Sequence, residues 1–237
     1  MSPYAGCVSD GDMRATWDAA AASGRVDEYV GDLETAEAEL DSVFSRLGGD
    51  HRGGTCLEVG CGPGRMTAHL AERFDRVLAV DVSPGMLDRA RATVEATNVE
   101  FVLVPGDRLE PIGNGVADVV LCYLVLQHLP DRRVVSAYFR EFGRVLAPAG
   151  RAYVQLPVLG NGLRPRLWRL GRALAVPVYS AVRPSVAHRA AYRGSRLTEP
   201  ELQQTLAAAG LRTTVRDENP TSPYRYAREV FLRLEHD

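Results

Sequence analysis

A glycine-rich turn lies where it could hold a nucleotide. The turn Gly60–Gly64 follows the apolar run Thr55–Val59 and precedes a helical pattern over Arg65–Phe74. Glycines let the backbone approach a ligand closely, and a helix start offers unpaired N–H groups to an anionic group such as a carboxylate. Tight packing alone could also explain the turn, but its position between a strand and a helix favours a nucleotide site.

An acidic residue follows near the end of the next predicted strand. Asp81 lies in the run Val77–Val82, 21 residues after Gly60. A carboxylate at this spacing can accept hydrogen bonds from both hydroxyls of a ribose. Asp81 could instead cap the helix that begins near Ser83, but its pairing with the glycine turn favours the ribose. Together the two features predict a site for a nucleoside cofactor.

These motifs resemble those of the class I S-adenosylmethionine (SAM)-dependent methyltransferases, in particular the small-molecule, ubiquinone-biosynthesis-like branch (methyltransferase type 11). The likeness covers about residues 53–157 and includes the first motif at 58–64 (EVGCGPG) and the turn at 146–150 (LAPAG). It implies SAM as the cofactor and S-adenosylhomocysteine as its product. By this resemblance the cofactor is bound by Glu58, Gly60, Cys61, Gly62 and Gly64 around its methionine part, Asp81 at the ribose, and Val82 and Met86 beside the adenine.

Two later stretches extend the resemblance. Asp107, followed by Arg108, resembles the acid that accepts a hydrogen bond from the exocyclic amine of adenine, and both residues are included in the predicted cofactor site. An ordinary turn aspartate is the alternative for Asp107. The run Ala117–Tyr123 resembles the fourth motif of the family, whose end lies beside the transferable methyl group, so Tyr123 is also included. Most of this run equally fits a plain buried strand.

His128 is the candidate general base. It lies in the run 126–130 (LQHLP) and could take a proton from an acceptor hydroxyl, because histidine ordinarily titrates close to neutral pH. It could also simply pack and shape the pocket. Methyl transfer needs little beyond alignment, because the sulfonium is already activated, so a dedicated base is optional. The other titratable candidates are His188, Tyr123 and Tyr192.

The elements that must position these residues alternate between strand and helix. Strands are predicted at 55–59, 77–82, 99–104, 117–126, 151–156, 211–216 and 229–234, and helices at 65–74, 84–96, 131–146 and 198–209. The last helix opens with a capping box formed by Thr198 and Glu201. The pattern predicts an α/β fold with a Rossmann-like, doubly wound, mostly parallel sheet. With the resemblance it implies seven strands in the order 3-2-1-4-5-7-6, the last antiparallel.

We expect one domain over residues 1–237, with four parts. These are an N-terminal helical cap (1–50) with an amphipathic helix at 26–47, a SAM-binding core (51–157), an inserted helical lid rich in Gly, Pro and Arg (158–197), and a C-terminal helix and hairpin (198–237). Cap and lid are predicted to enclose an apolar or aromatic acceptor, through Tyr29, Trp168 and Tyr192. An acceptor carboxylate or phosphate could face the lid arginines.

Composition narrows the function classes. The sequence contains no lysine, which excludes Schiff-base and general-base lysine chemistry. An NAD(P) oxidoreductase fits poorly, because its usual third glycine would fall at Arg65 and its Tyr-x-x-x-Lys pair cannot form. A net charge of −2 and a pI near 6.2 argue against nucleic acid as a partner, and the fourth motif lacks the Pro-Pro-Tyr of amino-type nucleic-acid methyltransferases. An RNA methyltransferase and a non-enzymatic SAM-binding protein stay open as alternatives.

The remaining features predict a cytoplasmic protein of small-molecule metabolism, a monomer or homodimer. The apolar runs are too short to span a bilayer, and the N-terminus lacks the pattern of a secretory signal. Four cysteines form no CxxC pair, and acids and histidines show no metal-like spacing, so we expect reduced thiols and no metal. The arginine-rich lid could alternatively be a basic amphipathic helix on a membrane surface.

Overall fold

A central sheet organises the chain in a computed structural model, which describes residues 10–22, 33–49, 51–129, 131–171, 195–219 and 224–237. Its strands are β1 (Thr55–Val59), β2 (Arg76–Asp81), β3 (Val99–Leu103), β4 (Ala117–Cys122), β5 (Leu146–Leu159), β6 (Leu197–Thr198), β7 (Leu211–Asn219) and β8 (Ala227–His236). They are ordered β3-β2-β1-β4-β5-β8-β7, with the two-residue β6 beside β5. β8 runs antiparallel to β5 and β7, and the other pairs are parallel. Apart from β6, this is the predicted strand order, and the predicted fold class is confirmed.

Helices cover both faces of the sheet. In the described residues they are α1 (Asp10–Ala22), α2 (Ala36–Arg46), α3 (Thr67–Ala71), α4 (Pro84–Thr93), α5 (Arg132–Val145), α6 (163–171) and α7 (Glu199–Ala208), with short 3-10 turns at Leu33–Thr35 and Leu126–His128. Alternate residues of a strand point to opposite faces. Accordingly, Leu57 of β1 joins a buried cluster with Phe139 of α5, whereas Cys56 joins another with Phe44 of α2.

The N-terminal helices differ from the prediction. The helix predicted at 26–47 begins only at Ala36, after the turn Leu33–Thr35, and its residues 26–32 lie outside the described part of the chain. α1 was not predicted. Met13 and Trp17 are its large apolar residues, one helical turn apart, and this pattern is too sparse to indicate an amphipathic helix.

Two strand boundaries also differ. β4 ends at Cys122 rather than at residue 126, because the chain turns at Leu124, whose φ is +58°. Positive φ is incompatible with a regular strand. β5 begins at Leu146 rather than at residue 151, because Leu146 already pairs with Ala117. The first change brings Tyr123 and Leu124 to the carboxyl end of the sheet.

The segment predicted as a lid leaves and rejoins the sheet at one place. Val158 on β5 pairs with Leu197 on β6, and the Ser195 N–H donates to the Leu129 carbonyl at 2.7 Å. Within the segment, α6 leaves three leucines exposed: Leu163 (72%), Leu167 (57%) and Leu170 (59%). Residues 172–194 lie outside the described part of the chain. No described helix combines the length and apolar character needed to cross a bilayer.

Candidate active site

A cavity opens where the carboxyl ends of β1, β2 and β4 meet. Together with the open solvent at its mouth, it encloses about 1080 Å³ of empty space. Open α/β sheets bind their ligands at this edge, where the strand order reverses. The predicted site residues that line the cavity are Glu58, Gly60, Cys61, Gly62, Asp81, Val82, Met86, Tyr123 and His128. Nine residues chosen from separate motifs therefore share one cavity.

The glycine turn needs its glycines for backbone conformation and for packing. Gly60, Gly62 and Gly64 have φ values of +71°, +55° and +88°. A Cβ at Gly60 would lie 2.5 Å from Cγ2 of Val125. One at Gly64 would lie 2.8 Å from Cγ2 of Val94, at the end of α4. Gly64 does not line the cavity. It therefore serves helix packing, whereas Gly60 and Gly62 bring backbone to the cavity wall.

The turn is tied to the neighbouring strand rather than to a long helix. The N–H groups of Gly60 and Cys61 donate to the Val80 carbonyl of β2 at 2.8 and 3.0 Å. α3 begins only at Thr67, so the prediction of a helix start at Arg65 is wrong. The backbone nearest the cavity thus belongs to the turn itself.

Asp81 lies at the end of β2 with both carboxylate oxygens facing backbone donors. Oδ2 accepts from the Gly62 N–H and Oδ1 from the Ser83 N–H, each at 2.9 Å. Burial raises the pKa of Asp81, and these backbone N–H groups oppose the rise. The cap of α4 is Ser83, whose Oγ accepts from the Met86 N–H. Because a carboxylate has about four acceptor positions, Asp81 keeps acceptor capacity for ligand hydroxyls.

Glu58 is a second buried acid in the same cavity. Its Oε2 accepts from the Thr67 hydroxyl at 2.6 Å. Burial raises the pKa of Glu58 to about 8, and the negative charge of Asp81 acts in the same direction. A buried carboxylate whose hydrogen-bond partner is a neutral hydroxyl is stabilised by an arriving cation. The cavity therefore suits a ligand with a positively charged group near the end of β1.

Comparison with known protein families decides what kind of domain this is. Residues 57–154 match the family described as a methyltransferase domain. Over this segment the chain is similar to methyltransferase domains. This segment runs from β1 through β5 and includes the glycine turn and both acids.

Individual relatives of the methyltransferase domain support the same assignment. The trans-aconitate 2-methyltransferase of Methylobacterium radiotolerans is 36% identical over 157 residues, which cover 64% of this chain and 55% of that protein. The N-demethylindolmycin N-methyltransferase of Streptomyces griseus is 31% identical, over 48% of this chain and 53% of the relative. This chain thus spans about half the length of these curated relatives. A solved structure, the magnesium protoporphyrin IX methyltransferase of Synechocystis PCC 6803 with bound S-adenosylhomocysteine, shares the fold, with a TM-score of 0.65, 18% identity, and coverage of 95% of this chain and 99% of that one.

Tyr123 of the methyltransferase domain is part of a hydrogen-bonded group that sequence reasoning missed. Its hydroxyl bonds with Glu39 of α2, and burial followed by the charge of Glu39 raises the pKa of Tyr123 well above its usual range. Glu39 also accepts from Arg65 at 2.7 Å, and Arg65 lines the cavity. A tyrosine that stays protonated serves as a hydrogen-bond donor, which argues against Tyr123 as a general base.

α1 closes one side of the cavity and was also missed. Met13 and Trp17 line the cavity, and the Trp17 ring meets the His128 ring edge-on, with centroids 5.2 Å apart. The helix is held in place by Arg14, whose Nε donates to the Val82 carbonyl at 3.1 Å, and by Asp18, which accepts from the Ser83 hydroxyl. The spacing of Met13 and Trp17 was the available signal in the sequence.

The other predicted residues lie away from the cavity. Asp107 is buried beside Arg108, whose Nη1 donates to it at 3.1 Å, and neither lines the cavity. Their proposed contact with adenine stays a prediction. Trp168 of α6 packs against Tyr226 and Arg196 and does not line the cavity, and its role as a lid residue over the acceptor stays a prediction. Tyr29, Tyr192 and His188 lie outside the described residues. Among those described, no three His, Cys, Asp or Glu side chains form a metal-binding group.

Proposed function

We propose that this chain is an enzyme that transfers the methyl group of SAM to the O, N or C atom of a small molecule by in-line displacement. The observation that carries the proposal is the pair of buried acids at the ends of adjacent strands. Glu58 and Asp81 flank the glycine turn and face one cavity. The matched methyltransferase domain and the named relatives support the same reaction.

The residues present fit SAM. Glu58 would receive the ammonium of the methionine part, since burial leaves its carboxylate in need of a positive partner. Asp81 would accept both ribose hydroxyls, and Val82 and Met86 would flank the adenine. Bound SAM supplies an activated methyl group on a sulfonium. The remaining work of the protein is to orient the acceptor and to exclude water.

The acceptor side of the cavity favours an apolar or aromatic molecule. Apolar and aromatic residues line the wall that α1, the segment after β4 and α5 form: Met13, Trp17, Val125, Leu129 and Tyr138. Such a wall with few polar groups is typical of small-molecule sites. We retain the lid at 158–197, with Tyr192, and the cap residue Tyr29 as proposed covers of this acceptor, within one domain over 1–237.

The metabolic role, the location and the assembly of the enzyme are likewise proposed from the sequence. We retain small-molecule metabolism as its role, the cytoplasm as its location, and a monomer or homodimer as its assembly. An RNA methyltransferase and a non-enzymatic SAM-binding protein are the outcomes that would replace the proposal.

Calorimetry and a methyl-transfer screen test the function together. We expect the purified chain to bind both SAM and S-adenosylhomocysteine, and to transfer labelled methyl groups from SAM to some member of a panel of phenols, polyketides, quinones, amines and carboxylic acids. Binding without transfer to any small acceptor or RNA would support the non-enzymatic alternative. No binding of either nucleoside would overturn the proposal altogether.

A further inference from the structure

The helix α6 directs its leucines away from the rest of the protein. Leu163, Leu167 and Leu170 are 72%, 57% and 59% exposed, respectively. At about 100° per residue, the three side chains fall within about 60° of one another around the helix axis. They therefore form one apolar stripe along the outer face of α6.

The opposite side of α6 packs against the body of the protein. The guanidinium of Arg196 lies over the Trp168 ring, 4.7 Å from its centroid, and the Tyr226 ring meets the same ring at 6.2 Å. Arg169 donates from Nη1 to Oε2 of Glu201 at 2.8 Å. Trp168 and Arg169 each lie about 130° from the centre of the leucine stripe, on opposite sides of it. A rotation of α6 that buried the leucines would break these contacts, so the stripe stays on the outside.

Two arginines border the leucine stripe. Arg166 lies about 40° beyond one edge of the stripe and Arg164 about 60° beyond the other. Both are exposed, and among the described residues neither side chain forms a hydrogen bond or an ion pair. The sequence from 142 to 198 contains no Asp or Glu, so no carboxylate close in the chain balances their charge. The charge of this face therefore favours an anionic partner.

The size of the face favours a lipid surface over a second protein. The exposed surface of the three leucines is less than that of two whole leucines, far below the roughly 800 Å² that each partner contributes to a stable protein interface. In a symmetric pair of chains joined through this face, the arginines of the two copies would approach and repel one another. On a bilayer the leucines can enter the acyl boundary while the long arginine side chains reach the lipid phosphates.

We propose that the outer face of α6, formed by Leu163, Arg164, Arg166, Leu167 and Leu170, binds the surface of an anionic phospholipid membrane. The nine residues of α6 make a helix about 14 Å long, less than half of the ~30 Å hydrocarbon core, so the helix lies in the plane of the interface. Three leucines and two charges give weak, reversible attachment. This inference goes beyond the proposed methyl transfer and does not depend on it.

Vesicle flotation with the full chain measures this binding. We expect the protein to float with vesicles of phosphatidylcholine and phosphatidylglycerol in equal amounts. It should not float with phosphatidylcholine alone, and high salt should weaken flotation because it screens the charges. Arg164→Gln combined with Arg166→Gln should weaken binding at least about tenfold, since each basic residue near an anionic surface strengthens binding about fivefold.

A second pair of arginines provides the matched control for charge. Arg76 and Arg91 are exposed like the arginines of α6 but lie on β2 and α4. Arg76→Gln combined with Arg91→Gln changes the net charge by the same amount and should leave flotation unchanged. An equal loss in both double variants would show that binding follows net charge, and would contradict a role for α6.

An added tryptophan tests whether the leucine stripe enters the lipid. Leu167→Trp keeps the face apolar, so binding should persist, and brominated phospholipids should quench the new fluorescence above the background of the two native tryptophans. Leu103→Trp is the control, because Leu103 is 41% exposed but lies on β3. Its added fluorescence should not be quenched. Equal quenching in the two variants would mean that α6 is not the docking face.

Three further results would overturn the proposal. One is a wild-type chain that does not float with the anionic vesicles, and another is flotation that is equally strong with neutral vesicles. The third is a dimer in solution that Leu167→Gln dissociates, because the leucines would then be an interface between copies of the chain. Circular dichroism checks that each variant is folded. None of these measurements uses SAM or an acceptor, so failure of this proposal is distinguishable from failure of the proposed function.

Discussion

At the scale of single residues, the chemistry of this site depends on acids kept out of water. Asp81 already accepts two backbone N–H bonds, so its carboxylate is held in one orientation before any ligand arrives. Glu58 has the Thr67 hydroxyl as its partner and keeps a raised pKa. The first acid is suited to sugar hydroxyls, and the second to a cation. The two acids therefore lead to different predictions.

Asp81→Asn should weaken SAM binding at least about tenfold. The substitution replaces an acceptor oxygen with an NH2 group, and a hydrogen bond to a charged group contributes about 1.5–3 kcal/mol. Isothermal titration calorimetry with S-adenosylhomocysteine measures the effect. Asp88→Asn is the control, because Asp88 is an exposed acid on α4 paired with Arg91. Equal affinities for wild type and Asp81→Asn would remove the ribose role.

Glu58→Gln should stabilise the unliganded protein at high pH. The pKa of Glu58 is raised from 4.5 to about 8 in the folded chain. Below pH 4.5 the acid is protonated in both states. As the pH rises from 4.5 to 8 the unfolded chain loses its proton first, so folding stability falls, with a limiting slope of about 1.4 kcal/mol per pH unit. Glutamine carries no such proton.

Urea unfolding at several pH values measures this difference. We expect the free energy of unfolding of Glu58→Gln, relative to wild type, to increase between pH 5 and pH 8 and then to level off. Glu100→Gln, on the exposed side of β3, is the control and should show no comparable trend. A difference that stays flat across this range would mean that Glu58 is ionised in the folded protein at pH 5.

SAM binding should also release a proton at pH 7. An acid with a pKa of about 8 is mostly protonated in the unliganded protein, and the arriving ammonium favours its ionised form. Calorimetric titrations in two buffers of different ionisation enthalpy count the protons released. We expect close to one proton for wild type and none for Glu58→Gln, whose residual binding is measured at higher protein concentration. Equal heats in both buffers for wild type would show that Glu58 does not respond to the ligand.

At the scale of elements, α1 forms the wall that closes one side of the cavity. It lies at the junction of β2 and α4, where Asp18 accepts from the Ser83 hydroxyl and from the Gly85 N–H. This attachment couples the helix to the same turn that holds Asp81. Trp17 then covers His128 from the same helix.

Asp18→Ala should loosen α1 and weaken SAM binding about three- to tenfold, because a partly buried, hydrogen-bonded carboxylate contributes about 1 kcal/mol or more. Hydrogen exchange of residues 10–22 reports the loosening, and calorimetry reports the affinity. Asp41→Ala is the matched control, since Asp41 pairs with Arg73 on the outer side of α2. Protection of α1 that is unchanged in Asp18→Ala would show that other contacts hold the helix.

Sequence patterns predict elements unevenly, for physical reasons. β1 was predicted at its observed bounds, because a fully buried strand reads as a continuous apolar run that ends at glycine. α1 was not predicted, because its buried face consists mostly of alanines and its polar contacts join a distant turn. The same holds for Glu39, which reaches the cavity through Arg65 and Tyr123. Such long-range polar contacts leave no periodic signal.

At the scale of the whole molecule, the topology followed from local rhythm combined with a family likeness. Alternating strands and helices imply parallel pairing and right-handed crossovers, but the position of β8 between β5 and β7 came from the resemblance alone. Glu229 illustrates what local sequence patterns cannot predict. It meets Gln155 only because β8 pairs with β5, so this buried hydrogen bond depends on a strand neighbour that no local pattern specifies.

The assembled fold should be stabilised as a unit by its nucleoside ligand. A ligand at about 100 times its Kd adds about 2.7 kcal/mol to the stability of the state that binds it. For a chain of this length, each kcal/mol raises Tm by about 2–4 °C. We therefore expect S-adenosylhomocysteine to raise Tm by about 5–10 °C in differential scanning calorimetry, and NAD+ at the same concentration to leave it unchanged. Asp81→Asn, compared at equal ligand concentration, should lose most of the shift. A shift with NAD+ and none with S-adenosylhomocysteine would instead indicate that the cavity binds a dinucleotide, as in the oxidoreductases that share this sheet.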